Sequence, residues 1–158
     1  MRTQCKPSER QKGIIEELAD CHEYRDGCSI DGAEKIEDGR GRVVYDIEGM
    51  DKCVTKVARW DVGIDDNISE ATMYDNLTYK EQDYFAEVGE LGDSGRWITM
   101  ERIDGDVTKE EIKEWQNMLI LAGNYRRTTC GDNLPKNFGK ENGEVKRVDW
   151  GQDCTKNC

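Results

Sequence analysis

Three side chains in the C-terminal part of the sequence carry oxygen atoms that suit a magnesium site. Asp132 and Asn137 lie on one loop, and Asp149 follows twelve residues after Asn137. Carboxylate and amide oxygens are hard ligands, which suit magnesium with bound phosphates better than they suit zinc. The three groups can meet only if the chain folds back at Asn142-Gly143, a dipeptide typical of a tight hairpin turn. The spacing therefore predicts that they converge on one pocket.

The same loop also has a simpler interpretation. Asp, Asn and Pro are frequent in turns, so residues 132–137 fit an ordinary connection without a chemical role. The paired spacing of this loop and the Asp149-Trp150-Gly151 motif favours a functional site, but a motif match alone does not decide between the two interpretations.

Length and charge narrow the class of protein. The 158 residues fit one domain, or one domain and a fragment. Charged residues make up 36% of the chain and the net charge is −11, which argues against binding to nucleic-acid backbones or to anionic membrane surfaces. No apolar run has the length of a membrane span and no secretory signal is visible, so we expect a cytoplasmic protein.

The cysteines suggest thiols and not a disulfide framework. Their number is seven, and an odd number with irregular spacing argues against complete pairing. There is no Cys-x-x-Cys pair and His22 is the only histidine, so a zinc site has little support. Because thiols are the default in a cytoplasm, we expect mostly reduced cysteines, with Cys154 and Cys158 the pair best spaced for a bond.

Hydrophobic periodicity and turn signals predict the elements that must position these groups. Asn67 is predicted to be the N-cap of a helix, after a loop over residues 61–67. The order of elements predicts an α+β fold with a mainly antiparallel sheet. The predicted helices cover residues 8–24, 68–77, 79–84 and 108–122, and the predicted strands cover residues 33–36, 42–47, 52–58, 85–89, 97–103 and 145–148.

This order of elements, together with the two motifs, resembles the protein-kinase-like fold over about residues 33 to 151. The likeness is to small-substrate kinases and to small kinase-like proteins of viruses more than to eukaryotic protein kinases. It implies that Asp132 is the catalytic base and that Asn137 and Asp149 hold magnesium ions. It also implies a helical extension over 1–32, an N-lobe sheet with one helix over 33–103, and a truncated C-lobe over 104–158 that lacks the later helices.

The resemblance further implies an ATP site. Lys56 matches the lysine that grips the phosphates, and Glu70 on the next helix matches its partner, with Glu81 as the alternative. Taken by itself, Glu70 also fits a favourable charge in the first turn of a helix. Glu101 ends the strand that leads to the segment where adenine docks through backbone groups.

Gly39 and Gly41 match the end of a glycine-rich phosphate loop, whose backbone must approach phosphate closely. The full pattern of three glycines is absent, and the segment equally fits a plain hairpin turn. Two other positions depart from the family pattern: Cys130 stands where the loop usually has His, and Trp150 replaces Phe or Tyr.

The resemblance therefore implies a minimal kinase-like protein that binds ATP with magnesium and transfers a phosphoryl group to a protein or small-molecule hydroxyl. The chain ends seven residues after Gly151, so a homo-oligomer or a host partner could compensate for the short C-lobe. The alternative is a kinase-shaped binding module without turnover, which acts through a protein partner. A third reading, an acidic protein that mimics DNA, rests on charge alone.

Overall fold

The computed structural model of the chain describes residues 4–123 and 133–150. Within these ranges the chain forms four α-helices, a five-stranded antiparallel sheet and a separate two-stranded hairpin, so the predicted α+β class is confirmed. None of the helices in these ranges is long and apolar enough to cross a membrane. The elements in chain order are α1 (Glu9–Tyr24), β1 (Ala33–Asp38), β2 (Arg42–Ile47), β3 (Cys53–Ala58), α2 (Asp61–Asp75), α3 (Tyr79–Gln82), β4 (Val88–Leu91), β5 (Trp97–Glu101), α4 (Lys109–Leu121), β6 (Phe138–Glu141) and β7 (Glu144–Arg147).

The sheet has the strand order β1-β2-β3-β5-β4, which places β3 at its centre. Lys56 on β3 is in register with Val44 on β2 and with Ile98 on β5. Because side chains alternate between the two faces of a sheet, Lys56 shares one face with Val44, while Val57 points to the other. The fold thus puts the candidate lysine in the middle of a rigid element.

Helix α1 covers one face of the sheet. It begins with a capping box in which Ser8 and Gln11 satisfy each other's backbone amides. Its residues Ile15 and Leu18 are fully buried in a cluster that includes Val43, Tyr45, Val57 and Trp97 from the sheet. The N-terminal extension is therefore a structural layer that shields this face from water.

The opposite face of the sheet packs against a second apolar cluster. Helix α2 contributes Met73 and Tyr74, and helix α4 contributes Trp115 and Leu119. The indole of Trp115 donates to the carbonyl oxygen of Tyr84 at 2.8 Å, and it packs edge-on against the Phe138 ring of the β6–β7 hairpin. This cluster holds the hairpin in place opposite the sheet.

Helix α2 begins earlier than the sequence predicts, at Asp61 and not after Asn67. The expected N-cap role of Asn67 is wrong, because this residue is fully buried in the middle of the helix. Its amide nitrogen donates to the carbonyl oxygen of Gly95 at 2.9 Å. The first turn of the helix depends on a tertiary contact: a Cβ atom on Gly63 would lie 2.2 Å from the carbonyl oxygen of Gly41.

The strand expected over residues 85–89 is also displaced, since β4 starts at Val88. Phe85 and Ala86 are fully buried, and the amide of Ala86 donates to the carbonyl oxygen of Arg147 at 2.8 Å. This segment therefore pairs with the end of the β6–β7 hairpin before the chain enters the sheet.

The expectation of thiols is wrong for the four cysteines in the described ranges, which form the disulfides Cys5–Cys53 and Cys21–Cys28. An odd number of cysteines excludes only complete pairing, and it says nothing about which residues the fold brings together. The first bond joins residues separated by 48 positions and ties the N-terminal segment to β3. Cys130, Cys154 and Cys158 lie outside the described residues.

We predict that both bonds will be found by mass spectrometry of protein alkylated without reduction. Replacing Cys5 and Cys53 together with Ser should lower the free energy of unfolding by about 2–4 kcal/mol, because the bond restricts a long loop in the unfolded chain. Urea unfolding in the presence of a reductant is the control, since it should make wild type and variant equal. Equal stability of the wild type with and without the reductant would contradict the prediction.

His22 should make stability depend on pH. The side chain is buried against β2, with Nε2 2.6 Å from the hydroxyl of Tyr45, and burial lowers the pKa of its imidazole. The unfolded chain takes up the proton near pH 6.5, so acidification below that value favours unfolding by at most about 1.4 kcal/mol per pH unit. Urea unfolding at about pH 7.5 and 5.5 should show a smaller loss for His22→Gln than for wild type. Equal losses would contradict this.

Candidate functional site

A cavity of about 800 Å³ lies between the sheet face that carries Lys56 and the β6–β7 hairpin. Of the residues predicted for the site, Glu70 lies behind the cavity wall, next to Lys56. Asp132 and Gly151 lie outside the described residues. The cavity brings together the other six predicted residues, which are Gly39, Gly41, Lys56, Glu101, Asn137 and Asp149.

Lys56 and Glu70 form a buried ion pair, as the sequence predicts. The ammonium nitrogen of Lys56 lies 3.1 Å and 3.3 Å from the two carboxylate oxygens of Glu70, which is fully buried. The same nitrogen donates to the carbonyl oxygen of Val148 at 2.9 Å, so it also holds the segment that leads to Asp149. Glu81, the alternative partner, completes the capping box of α3.

Arg42 is a second buried cation at this site, and the sequence analysis missed it. Its Nη2 atom contacts the carboxylate of Glu70 and lies 3.0 Å from Oδ1 of Asp149. Its Nη1 atom donates to Oδ1 of Asn67 at 3.0 Å. A signal was available, because Arg42 opens a strand in which strand alternation places it on the same face as Val44 and Lys56.

The four charged groups balance one another. Arg42 and Lys56 are cations, Glu70 and Asp149 are anions, and each cation contacts both anions within 4.0 Å. Burial of charge is costly unless it is paired. The arrangement therefore satisfies each charge locally while joining β2, β3, α2 and the segment after β7.

Asp149 lines the cavity together with Arg42 and Lys56, and it is the most exposed member of the cluster. Burial raises the pKa of its carboxyl, but the positive charges of Lys56, Arg42 and Arg147 outweigh it and hold the pKa below its usual range. The side chain remains 50% exposed. Asp149 is therefore an ionised carboxylate at neutral pH, and it is accessible to a ligand in the cavity.

Asn137 lies beside Asp149. The backbone carbonyl oxygen of Asn137 accepts hydrogen bonds from the backbone amides of Val148 at 2.8 Å and Asp149 at 3.3 Å. In the described ranges no group of three or more His, Cys, Asp or Glu side chains is arranged to hold a metal ion. A magnesium ion held by Asn137 and Asp149 would instead complete its octahedral shell with water and phosphate oxygens, as is common for this metal.

Arg147 supports Asp149 from behind, and it too was missed by the sequence analysis. It is fully buried, its Nε donates to the carbonyl oxygen of Asp149 at 3.0 Å, and its guanidinium lies 5.5 Å from the centre of the Phe138 ring. Its Nη1 donates to the side chain of Asn133 at 3.0 Å. Arg147 thus links the loop before β6 to the segment after β7.

The glycines of the β1–β2 turn have a structural explanation. A Cβ atom on Gly39 would lie 2.7 Å from the carbonyl oxygen of Arg42, so the tight turn itself favours glycine there. The carbonyl oxygen of Gly41 accepts from the amide of Arg59 at 2.9 Å. Both glycines line the cavity, and their phosphate-binding role stays a prediction.

Glu101 lines the cavity, and its backbone amide already donates a hydrogen bond within the protein. That amide donates to the carbonyl oxygen of Glu87 at 2.8 Å, and the Glu101 carboxylate accepts from the amide of Glu87 at 3.0 Å. The amide of Glu101 is therefore not free to donate to a base docked in the cavity. The adenine-docking role stays a prediction.

No protein-family profile matches this chain, and no curated protein sequence matches it at a significant level. The interpretation of the site therefore rests on its own geometry and chemistry.

We predict that Glu70→Gln will strongly destabilise the fold, because it leaves Arg42 and Lys56 buried with only one anion, Asp149. Loss of one partner from a buried ion pair costs about 3–5 kcal/mol. The control is Glu48→Gln, which removes an exposed pair with Arg10 and should cost less than about 1 kcal/mol. Urea unfolding measures both, and equal losses would show that the buried cluster does not stabilise the fold.

Proposed function

We propose that this chain is a minimal protein-kinase-like protein that binds ATP with magnesium and transfers a phosphoryl group to a hydroxyl of a protein or small molecule. The observation that carries the proposal is the buried Lys56–Glu70 pair, with the Lys56 nitrogen 4.0 Å from Asp149 at the cavity wall. Kinase-like sites use a strand lysine fixed by a helix glutamate to grip phosphates, and an Asp to hold the metal.

The path of the chain supports the same assignment. Lys56 lies on the third strand, Glu70 lies on the helix that follows it, and the sheet order is β1-β2-β3-β5-β4. A lysine on a strand, a glutamate on the helix that follows it and an antiparallel sheet are what the resemblance implies for a kinase N-lobe. The kinase-like fold is therefore part of the proposal, and nucleotide binding in the cavity is the test of that proposal.

The walls of the cavity suit a nucleotide. One part is apolar and fits a flat base. The other part has five cations and six carboxylates, so it fits a polyphosphate that arrives with a divalent cation. The volume of about 800 Å³ falls within the usual range for small-molecule sites. The apolar part includes Val44, Val54, Met100, Ile103, Val107 and Phe138, and the cations are Arg40, Arg42, Lys56, Arg102 and Lys136.

In the proposed reaction the protein positions the groups and stabilises charge. Lys56 binds phosphate oxygens, while Asn137 and Asp149 would hold magnesium, which neutralises charge on the phosphates when bound. Asp132, outside the described residues, orients the acceptor hydroxyl and accepts its proton. The acceptor oxygen forms a bond to the γ-phosphorus as the bond to the bridging oxygen breaks, and ADP leaves.

The alternative function is a kinase-shaped binding module without turnover. The observation that favours it is the contact between Arg42 and Asp149, because a guanidinium already occupies one oxygen of the proposed metal ligand. Such a module would act through a protein partner or a second copy of the chain.

The cytoplasmic location also stays a proposal, and the two disulfides weigh against it because they favour an oxidising compartment.

A thermal-shift titration tests nucleotide binding. ATP with magnesium should stabilise the wild type by about 2.7 kcal/mol at a ligand concentration of 100 times Kd. The matched variant Asp149→Asn keeps the size of the side chain and should lose the magnesium-dependent part of this stabilisation. A wild type that ATP and magnesium leave unchanged would refute the proposal of a nucleotide site.

Phosphoryl transfer separates the two functions. In an active kinase, Asp132→Ala should keep nucleotide binding and lose transfer by a factor of about 10²–10⁴, the usual contribution of a general base. Transfer of labelled γ-phosphate to protein, small acceptors and water is the measurement. Full transfer by Asp132→Ala would refute the role of this loop, and binding without any transfer by wild type would favour the binding module.

A further inference from the structure

Arg42 has no task in the proposed reaction, yet like Lys56 it is buried and contacts both anions of the charged cluster. It is 9% exposed and contacts Asn67 and Glu70 on α2 as well as Asp149 after β7. The side-chain nitrogen of Asn67 donates to the carbonyl oxygen of Gly95. This bond orients the side-chain oxygen of Asn67 toward Arg42. The guanidinium is therefore anchored on α2 before it reaches Asp149.

The side chain of Asp149 accepts its hydrogen bond from Arg42 through one of its two carboxylate oxygens. Arg42 lies 3.0 Å from Oδ1 and Lys56 lies 4.0 Å from the same atom. Within residues 4–123 and 133–150, no side-chain hydrogen bond to Oδ2 is seen. Since half of the side chain is exposed and the residue lines the cavity, Oδ2 is the oxygen available to a cation there.

A carboxylate held in this way is oriented for a metal ion. A guanidinium is planar and its donors have fixed directions, so it restricts the rotation of the carboxylate that it binds. A half-exposed Asp without that partner has several rotamers, and ordering it on metal binding would cost free energy. Groups that orient a metal ligand commonly contribute a factor of 10–100 to metal affinity.

We propose that Arg42 is a positioning residue for magnesium: it holds Oδ1 of Asp149, turns Oδ2 toward the cavity, and ties the metal ligand to helix α2 through Glu70 and Asn67. This inference rests on the proposed function, because magnesium is the ion of that site. It makes magnesium affinity depend on where α2 lies. In the opposite role, Arg42 would compete with magnesium for the carboxylate of Asp149. Removing Arg42 would then raise the affinity for magnesium.

The test is a magnesium titration of the full chain at fixed concentrations of a fluorescent ATP analogue, with the midpoint in magnesium as the readout. Arg42→Met keeps much of the side-chain volume and removes the guanidinium, and it should raise the midpoint about 10-fold or more. Arg42→Lys keeps the charge but cannot reach Asn67, Glu70 and Asp149 together, so its midpoint should lie between those of wild type and Arg42→Met.

Arg96→Met is the control, because Arg96 also bridges carboxylates, those of Glu16, Asp20 and Glu23, and does not line the cavity. Its midpoint should equal that of wild type. Asn67→Ala provides a second route to the same conclusion if Arg42→Met does not fold. It should raise the midpoint in the same direction by a smaller factor, because Asn67 acts through Arg42.

The outcomes are distinct. A raised midpoint in Arg42→Met, or in Asn67→Ala, with the midpoint of Arg96→Met equal to that of wild type, supports the positioning role. An unchanged or lowered midpoint, with magnesium-dependent binding by wild type intact, overturns this inference and leaves the proposed function standing. Binding by wild type that does not depend on magnesium refutes the proposed magnesium site, and this inference with it.

Discussion

The buried cluster of Arg42, Lys56, Glu70 and Asp149 constrains the whole structure. Two cations and two anions meet within contact distance, and Glu70 is fully removed from solvent. In a low-dielectric interior an unpaired charge is far more costly than a paired one, so β2, β3, α2 and the segment after β7 must lie where each charge is neutralised. The position of α2 against the sheet follows from this requirement as much as from its apolar contacts.

The remainder of the fold makes the platform under this cluster rigid. Helix α1 seals the far face of the sheet, and its Glu16 accepts hydrogen bonds from Arg96 at 2.7 Å and from the indole of Trp97 at 2.8 Å. The Cys5–Cys53 bond attaches the N-terminal segment to β3, the strand that carries Lys56. A site that depends on ångström-scale placement gains from such support, because side chains on braced strands lose little further entropy on binding.

Charge also explains why the proposed ligand would be ATP with magnesium and not ATP alone. The chain carries a net charge of −11, and the cations of the cluster are already matched by its anions. A bare polyphosphate would meet little uncompensated positive charge in the cavity. A divalent ion on Asp149 would add that charge where the phosphates lie, so the metal and the nucleotide would each favour the binding of the other.

The sequence by itself determined the elements whose signals are local. The helices predicted over 8–24 and 108–122 agree with α1 and α4, and the strands predicted over 42–47 and 52–58 agree with β2 and β3. The ion pair of Lys56 and Glu70, which the resemblance implies from their order along the chain, is confirmed. These features depend on neighbours within a turn of helix, on strand periodicity, or on one strand followed by one helix.

Only the tertiary structure decided the features that depend on distant partners. Helix α2 begins in a stretch of poor helix formers because Gly63 packs against the carbonyl of Gly41 and Asn67 is held by Gly95 and Arg42. Cys5 meets Cys53 because the N-terminal segment crosses the sheet at β3. Arg42 and Asp149, 107 residues apart, form an ion pair. No local pattern encodes these contacts, since their free energy appears only when the folded chain removes both partners from water.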